Sequence, residues 1–297
     1  MRKKMFSLKP FSKDDQYFVE KMLEHSRVNR EYELGYPKCD NMKELLAEVE
    51  MYENTLEKSI YIIFYEDKPI GISGYLYTPN EGDGYIIGPI VNEEFHFKEG
   101  LNIIINLVLD NKMEIFNTLE AVVSHKNVVL DQCYSELGWK YRRTSREMRY
   151  DINGVKKEES QWKINLIDKS NKKIIDESFK LLDKAFRWNG NKKKMEELLN
   201  NEYKLACVLN ERNKVIGFVC WAYLEDISFS RLEYVVVNEK YRKRGIGQAL
   251  VNYVINSSID DGVKCVYLST NIINEAVNIY KAVGFYDTVI SNIYREK

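Results

Sequence analysis

Histidine is nearly missing from this chain of 297 residues: His25, His96 and His125 are the only three, and they stand far apart. With so few imidazoles a zinc site is not expected, and no metal enters the reading. Cysteine is scarce as well. The five present (Cys39, Cys133, Cys207, Cys220, Cys265) are odd in number and form no C-x-x-C pair. Three lie inside strand-like runs, so they read as buried, reduced thiols rather than a disulfide framework. No apolar run approaches the roughly 20 residues of a membrane span, so no membrane partner is expected. The opening Met-Arg-Lys-Lys imitates the start of a secretion signal, but polar Ser7, Lys9 and residues 12–15 follow with no apolar core. A signal peptide is therefore not expected, and a cytoplasmic protein is. Neither sign of charge prevails: 44 Lys and Arg stand against 45 Asp and Glu. That balance argues against a dedicated nucleic-acid binder.

Hydrophobic residues make up 44% of the chain and charged residues 30%, a balance that lets a chain in water bury a sizeable core. The length suggests two domains of roughly 150 residues each, and the sequence repeats itself accordingly. Pro69-Ile70-Gly71 aligns with Val215-Ile216-Gly217, Val91-Asn92-Glu93 with Val237-Asn238-Glu239, Tyr134 with Tyr280, and Leu137-Gly138-Trp139 with Val283-Gly284-Phe285. Every pair keeps one spacing, the 146 residues that separate Gly71 from Gly217. Two copies of one fold in tandem follow: an N-terminal domain over 1–152, a polar linker over 153–161 and a C-terminal domain over 162–297.

The densest chemistry lies at Tyr241 to Leu250, which reads Y-R-K-R-G-I-G-Q-A-L after the β-branched run Val235-Val236-Val237. A strand, a tight turn with two glycines and a helix pattern from Gln248 would place free amides and a positive dipole end at one point. Arg242, Lys243 and Arg244 add fixed charge, which suits a phosphate or diphosphate. A P-loop is excluded, because no Gly-x4-Gly-Lys-Ser/Thr string occurs. A dinucleotide fingerprint wants a third Gly or Ala where Leu250 stands, and a solvated basic turn is the plain alternative.

Context separates these readings. The segment from Val237 to Gly247 resembles the acyl-coenzyme A loop of GNAT-superfamily N-acetyltransferases, whose Arg/Gln-x-x-Gly-x-Gly/Ala pattern is met by Arg242, Gly245 and Gly247. Downstream, Ala276 to Phe285 (AVNIYKAVGF) is similar to that family's final helix. The resemblance implies an α/β (α+β) chain of two tandem GNAT-like domains, each with a mixed, mostly antiparallel sheet flanked by helices. It implies transfer of an acetyl group from acetyl-CoA, as cosubstrate, to a primary amine of a small molecule or peptide. Backbone groups over Val235, Val236 and Val237 would hold the pantetheine arm. The loop Arg242, Lys243, Arg244, Gly245, Ile246, Gly247 and Gln248 would hold the diphosphate. Glu233 matches the carboxylate that serves some members as general base, with an ion pair to Arg231 as the alternative and Glu225 and Asp226 as further candidates. Tyr280 matches the tyrosine near the coenzyme thiol. The family's Asn before the last helix is replaced by Ile273, leaving Asn274 as a substitute. Phe186-Arg187-Trp188-Asn189 is a candidate wall for the acceptor. A coenzyme A-binding regulatory or scaffold protein without turnover is the alternative, and a monomer or homodimer is expected.

The repeat fails at the loop. Glu99 and Leu101 stand opposite Gly245 and Gly247, and a carboxylate and a β-carbon there both oppose an anion. The N-terminal copy is therefore expected to be degenerate, with a structural or substrate-shaping role. In the C-terminal copy, apolar spacing predicts helices over 168–185, 195–199, from Gln248 to about 260, and over 274–283. It predicts strands over 205–210, 215–223, 231–237 and 263–269, with 287–294 closing the same sheet. The N-terminal half gives the same order, with a longer insert over 30–42.

Overall fold

The computed structural model describes residues 5–79, 82–112, 116–200 and 203–296; the basic opening run, residues 1–4, lies outside them. The chain divides into two compact units, residues 1–146 with 289–297, and residues 147–288.

The first unit contains β1 (Phe6–Pro10), α1 (Gln16–Val28), α2 (Met42–Met51), α3 (Leu56–Ser59), β2 (Ile60–Tyr65), β3 (Lys68–Tyr77) and β4 (Asp83–Val91). There follow α4 (Lys98–Asp110), β5 (Thr118–Ser124), α5 (Val128–Glu136) and the start of β6 (Lys140–Asp151). Strands β1 to β5 lie in sequence order. All neighbours are antiparallel except β4 and β5, which run parallel because α4 carries the chain across. Two apolar clusters cover the sheet: Leu101, Ile104, Ile105 and Val108 of α4 pack on one side, and Val19, Met22 and Leu23 of α1 on the other.

The second unit contains the end of β6, β7 (Ile164–Leu166), α6 (Lys172–Phe186), α7 (Lys193–Asn200), β8 (Tyr203–Leu209), β9 (Val215–Leu224), β10 (Phe229–Val237), α8 (Ile246–Asp260), β11 (Cys265–Asn271) and α9 (Val277–Val283). The strand order is β7-β8-β9-β10-β11-β6, and β10–β11 is the parallel pair. Period-2 alternation divides β8 cleanly. Ala206 and Val208 face the cluster of α8 and α9, while Leu205 and Cys207 face that of α6 and α7. A strand buried on both faces reads as a continuous apolar run, as Val215 to Tyr223 does. Each unit is thus a mixed, mostly antiparallel sheet flanked by helices. All five cysteines are buried. Among the described residues, no helix is long and apolar enough to cross a membrane.

The closing strand departs from the expected order. β12 (Tyr286–Arg295) does not close the sheet of the C-terminal copy; from Val289 it belongs to the first unit and pairs antiparallel with β5, Ser291↔Ser124 through Arg295↔Glu120. Side-chain partners account for the choice. Asn292 Nδ2 and the Tyr294 hydroxyl both donate to Asp131 Oδ1, at 3.0 and 2.9 Å. Arg295 pairs with the buried Glu120 at 2.7 Å. The end of β6 fills the matching place in the second unit, with Met148 and Ile152 in its core. The units therefore differ from the contiguous halves expected from the repeat, and residues 153–161, without helix or strand, fall within the second unit.

Candidate active site

In the second unit β10 and β11 pair over only three residues: Phe229↔Cys265, Ser230↔Val266 and Arg231↔Tyr267. Beyond Arg231 no further pair forms between them among the described residues, so the two parallel strands part. A β-bulge between Leu232 and Tyr234 lies at the same point and shifts the side-chain alternation by one residue. Leu232, Val235 and Val237 pack toward α8 and α9, whereas Tyr234 and Val236 pack toward α6 and α7. The result is a cleft between the two strands, with the β10 backbone over 234–237 along one side.

The glycine loop closes one end of that cleft. Asn238 caps a short turn by accepting from Lys240 N–H, and Tyr241 is held by Asn210 Nδ2 at 3.1 Å. Lys243 and Gly245 both take left-handed backbone conformations, φ 60° and 78°. Gly245 then caps α8, whose first residue is Ile246, two residues earlier than the pattern from Gln248 predicted. The first intrahelical bond runs from Ala249 N–H to Gly245 O at 2.9 Å. The amides of Ile246, Gly247 and Gln248 therefore have no helical acceptor. Left- and right-handed residues in succession turn such amides into a concave anion seat. Gly247 has its own reason: a Cβ there would stand 2.8 Å from Ile279 Cδ1 on α9. Arg242 Nε donates to Val237 O at 3.3 Å, and the Arg244 guanidinium lies 5.4 Å from the Tyr241 ring centroid.

Tyr280 sits on α9, 7% exposed, beside Phe285 with ring centroids 5.9 Å apart. Burial pushes its phenol up to about 12, so it stays protonated at neutral pH. Its hydroxyl has no hydrogen-bond partner among the described residues. Glu233, at the bulge, makes an ion pair with Arg231 Nε at 3.1 Å, its side chain 30% exposed. Arg231 in turn donates to the Tyr203 hydroxyl. Next to Glu233, Tyr234 joins Phe186 and Trp188 in an aromatic cluster with centroid separations of 4.8 and 5.6 Å. Phe186, 42% exposed, forms its rim. The sequence singled out Phe186 to Asn189, but nothing in its spacing linked them to Tyr234; the bulge makes that link.

Three expected residues fall elsewhere or do other work. Glu225 and Asp226 lie on an exposed turn before β10, at the opposite end of that strand from the glycine loop. Asn274 is exposed and occupied locally: Nδ2 donates to Thr270 Oγ1 at 2.8 Å and Oδ1 accepts from Ala276 N–H at 3.0 Å. It builds the turn into α9.

The corresponding cleft of the first unit is filled by its own chain. β4 and β5 pair over Asp83↔Thr118 to Ile86↔Ala121 and then part. One edge of β5 is taken by β12, and on the other Leu34 bridges Val123. Gly35 follows so closely that a Cβ would stand 2.3 Å from Val122 O, and the buried Glu33 accepts from Ser124 Oγ at 2.6 Å. Tyr134, fully buried, donates to Gly88 O at 3.3 Å. The insert noticed over 30–42 thus enters the split. By the repeat spacing Ile87 stands where Glu233 does, and Pro89, which has no N–H, stands where Val235 does.

Residues 175–285 match the family described as Acetyltransferase (GNAT) family. No curated protein matches the sequence. Among solved structures, a GCN5-related N-acetyltransferase from Sphaerobacter thermophilus is similar over 98% of this chain and 95% of its own, with 15% identity and a TM-score of 0.69. A tandem GNAT protein from the clavulanic acid biosynthesis pathway is similar over 98% of both chains, with 10% identity and a TM-score of 0.56. A GCN5-related glucosamine N-acetyltransferase region in a fungal multi-domain enzyme is similar over 98% of this chain and 38% of that one, with 14% identity and a TM-score of 0.62. The fold is thus similar to that of tandem GNAT proteins along nearly the whole chain, and residues 175–285 match the acetyltransferase (GNAT) family.

Proposed function

We propose that this protein is an acetyl-CoA-dependent N-acetyltransferase with one active site, in the second unit, acting on an amine of a small molecule or peptide. The observation that carries the reading is the parted β10–β11 pair ending at the free amides of Ile246, Gly247 and Gln248. An extended thioester arm fits the cleft, with its amides paired to the exposed strand backbone near Val235 and Val237. The diphosphate fits the loop, where the helix dipole and Arg242, Lys243 and Arg244 favour negative charge.

In the reaction the acceptor amine attacks the thioester carbonyl, a C–N bond forms, and the C–S bond breaks as thiolate leaves. Glu233, paired with Arg231, takes the proton lost by the amine, directly or through water. Tyr280 donates a hydrogen bond to the departing sulfur. A thiol of pKa ~8.5 against a phenol at about 12 makes complete proton transfer uphill by about 5 kcal/mol. Tyr280 therefore acts mainly by stabilising the developing charge as a donor. The aromatic cluster of Phe186, Trp188 and Tyr234 lies on the face that Glu233 shares and is the natural acceptor wall.

The second reading, coenzyme A binding without turnover, is favoured by one feature: Glu233 is already engaged by Arg231. Titration with acetyl-CoA followed by an assay of thiol release against an amine panel separates the two. Binding with amine-dependent release supports the enzyme; binding with no release for any amine supports the regulatory protein; no binding rejects both.

A further inference from the structure

The segment between the two sequence repeats is laid along α8 from end to start. Lys157 pairs with Asp260 at the helix end. One turn earlier Glu158 and Asn256 bond reciprocally: Glu158 N–H donates to Asn256 Oδ1 at 3.1 Å, and Asn256 Nδ2 donates to Glu158 O at 2.8 Å. At the helix start, Trp162 Nε1–H donates to Arg244 O at 3.0 Å. Trp162 Nε1 and Gln161 Nε2 stand 4.0 and 3.9 Å from where a Cβ of Gly245 would be. Two contacts fasten this strap along α8, and a third, from Trp162, reaches the glycine loop.

We propose that Trp162 is a positioning residue for the coenzyme diphosphate; this rests on the assignment of the 242–248 loop to the coenzyme. The reason is peptide geometry. In a trans peptide the C=O of one residue and the N–H of the next point in opposite directions. Gly245 populates left- and right-handed conformations almost equally, so the Arg244–Gly245 peptide has little of its own to stop it turning over. The indole holds the Arg244 carbonyl on the strap side. The Gly245 N–H then points away from the strap, alongside the free amides of Ile246 and Gly247. Were the peptide to turn over, a carbonyl dipole would face the diphosphate in place of a donor. Trp162 touches no substrate in this arrangement. It acts by selecting one orientation of the loop.

The test uses the full chain with Trp162→Phe, which keeps an aromatic ring and removes the donor, and Trp162→His, whose ring N–H can restore it. Coenzyme A and dephospho-coenzyme A, which share the diphosphate and differ in the 3′-phosphate, serve as titrants. We expect Trp162→Phe to weaken both about tenfold, the scale of one lost hydrogen bond to a charged site. KM for acetyl-CoA should rise by the same factor, with kcat at saturation unchanged, and Trp162→His should recover part of the loss. Unchanged affinity in Trp162→Phe overturns the proposal, as does a loss confined to coenzyme A, which would assign Trp162 to the 3′-phosphate. A wild-type chain that binds neither titrant rejects the coenzyme assignment itself, an outcome distinct from the other two.

Discussion

The Tyr134 hydroxyl donates to the carbonyl oxygen of Gly88 at 3.3 Å, while its repeat partner Tyr280 leaves its hydroxyl without a partner among the described residues. In the first unit the tyrosine ties α5 to β4, across the place where a coenzyme arm would lie. In the second the same side chain is buried yet uncommitted.

Stoichiometry follows from that difference. Calorimetric titration of the wild-type chain with acetyl-CoA should give one site per chain. Two sites would mean that the Leu34–Val123 bridge opens to admit ligand.

Replacing Glu233 by Gln removes the carboxylate and half of a partly exposed ion pair. Such pairs contribute about 0–1 kcal/mol, so the melting temperature should move little. The rate should fall about a hundredfold or more if the carboxylate is the base, with acetyl-CoA affinity within about twofold of wild type. Tyr280→Phe should behave likewise: with no bond to lose, the variant should be as stable as wild type at neutral pH and slower by about tenfold or more. Wild-type rates in both variants would reject these roles.

Tyr280 also predicts a pH dependence of stability. Its folded value of about 12 lies above the unfolded phenol near ~10, so the native state holds the proton longer. The stabilisation is complete below about pH 10 and is lost as pH rises toward 12, by about 3 kcal/mol in all. Urea unfolding at pH 8 and pH 11 should therefore show a smaller alkaline loss for Tyr280→Phe than for wild type. Equal losses would mean that Tyr280 titrates normally.

The exchanged last strand gives a prediction on stability alone. Tyr294 belongs to the core of the first unit and bonds Asp131. Tyr294→Ala should cost about 3–5 kcal/mol, as truncation of a buried large aromatic does. Below the unfolding temperature, acetyl-CoA affinity should be unchanged, because the glycine loop lies in the other unit. Loss of affinity in a folded variant would contradict that separation.

Much of this is legible in the sequence itself. The glycine spacing, the β-branched run before it and the Gly284 stop were local signals, and local signals survive because they reflect backbone sterics and capping. Alternation in 205–210 and 215–223 placed the strands correctly for the same reason. Side-chain partners were less legible. Asn274 has the expected residue type near the expected place, but its side chain bonds Thr270 and Ala276. Glu225 and Asp226 were close in sequence to Glu233 yet lie at the far end of an extended strand.

The sequence alone determined the repeat, the glycine loop and the two faces of each strand, since periodicity and turn chemistry act over a few residues. The tertiary structure alone decided that β12 pairs with β5, that the 30–42 insert enters the β4–β5 split, that the bulge turns Glu233 and Tyr234 to one face, and that Trp162 reaches Arg244. Period-2 alternation says which side chains are buried; it carries no information about which neighbour buries them.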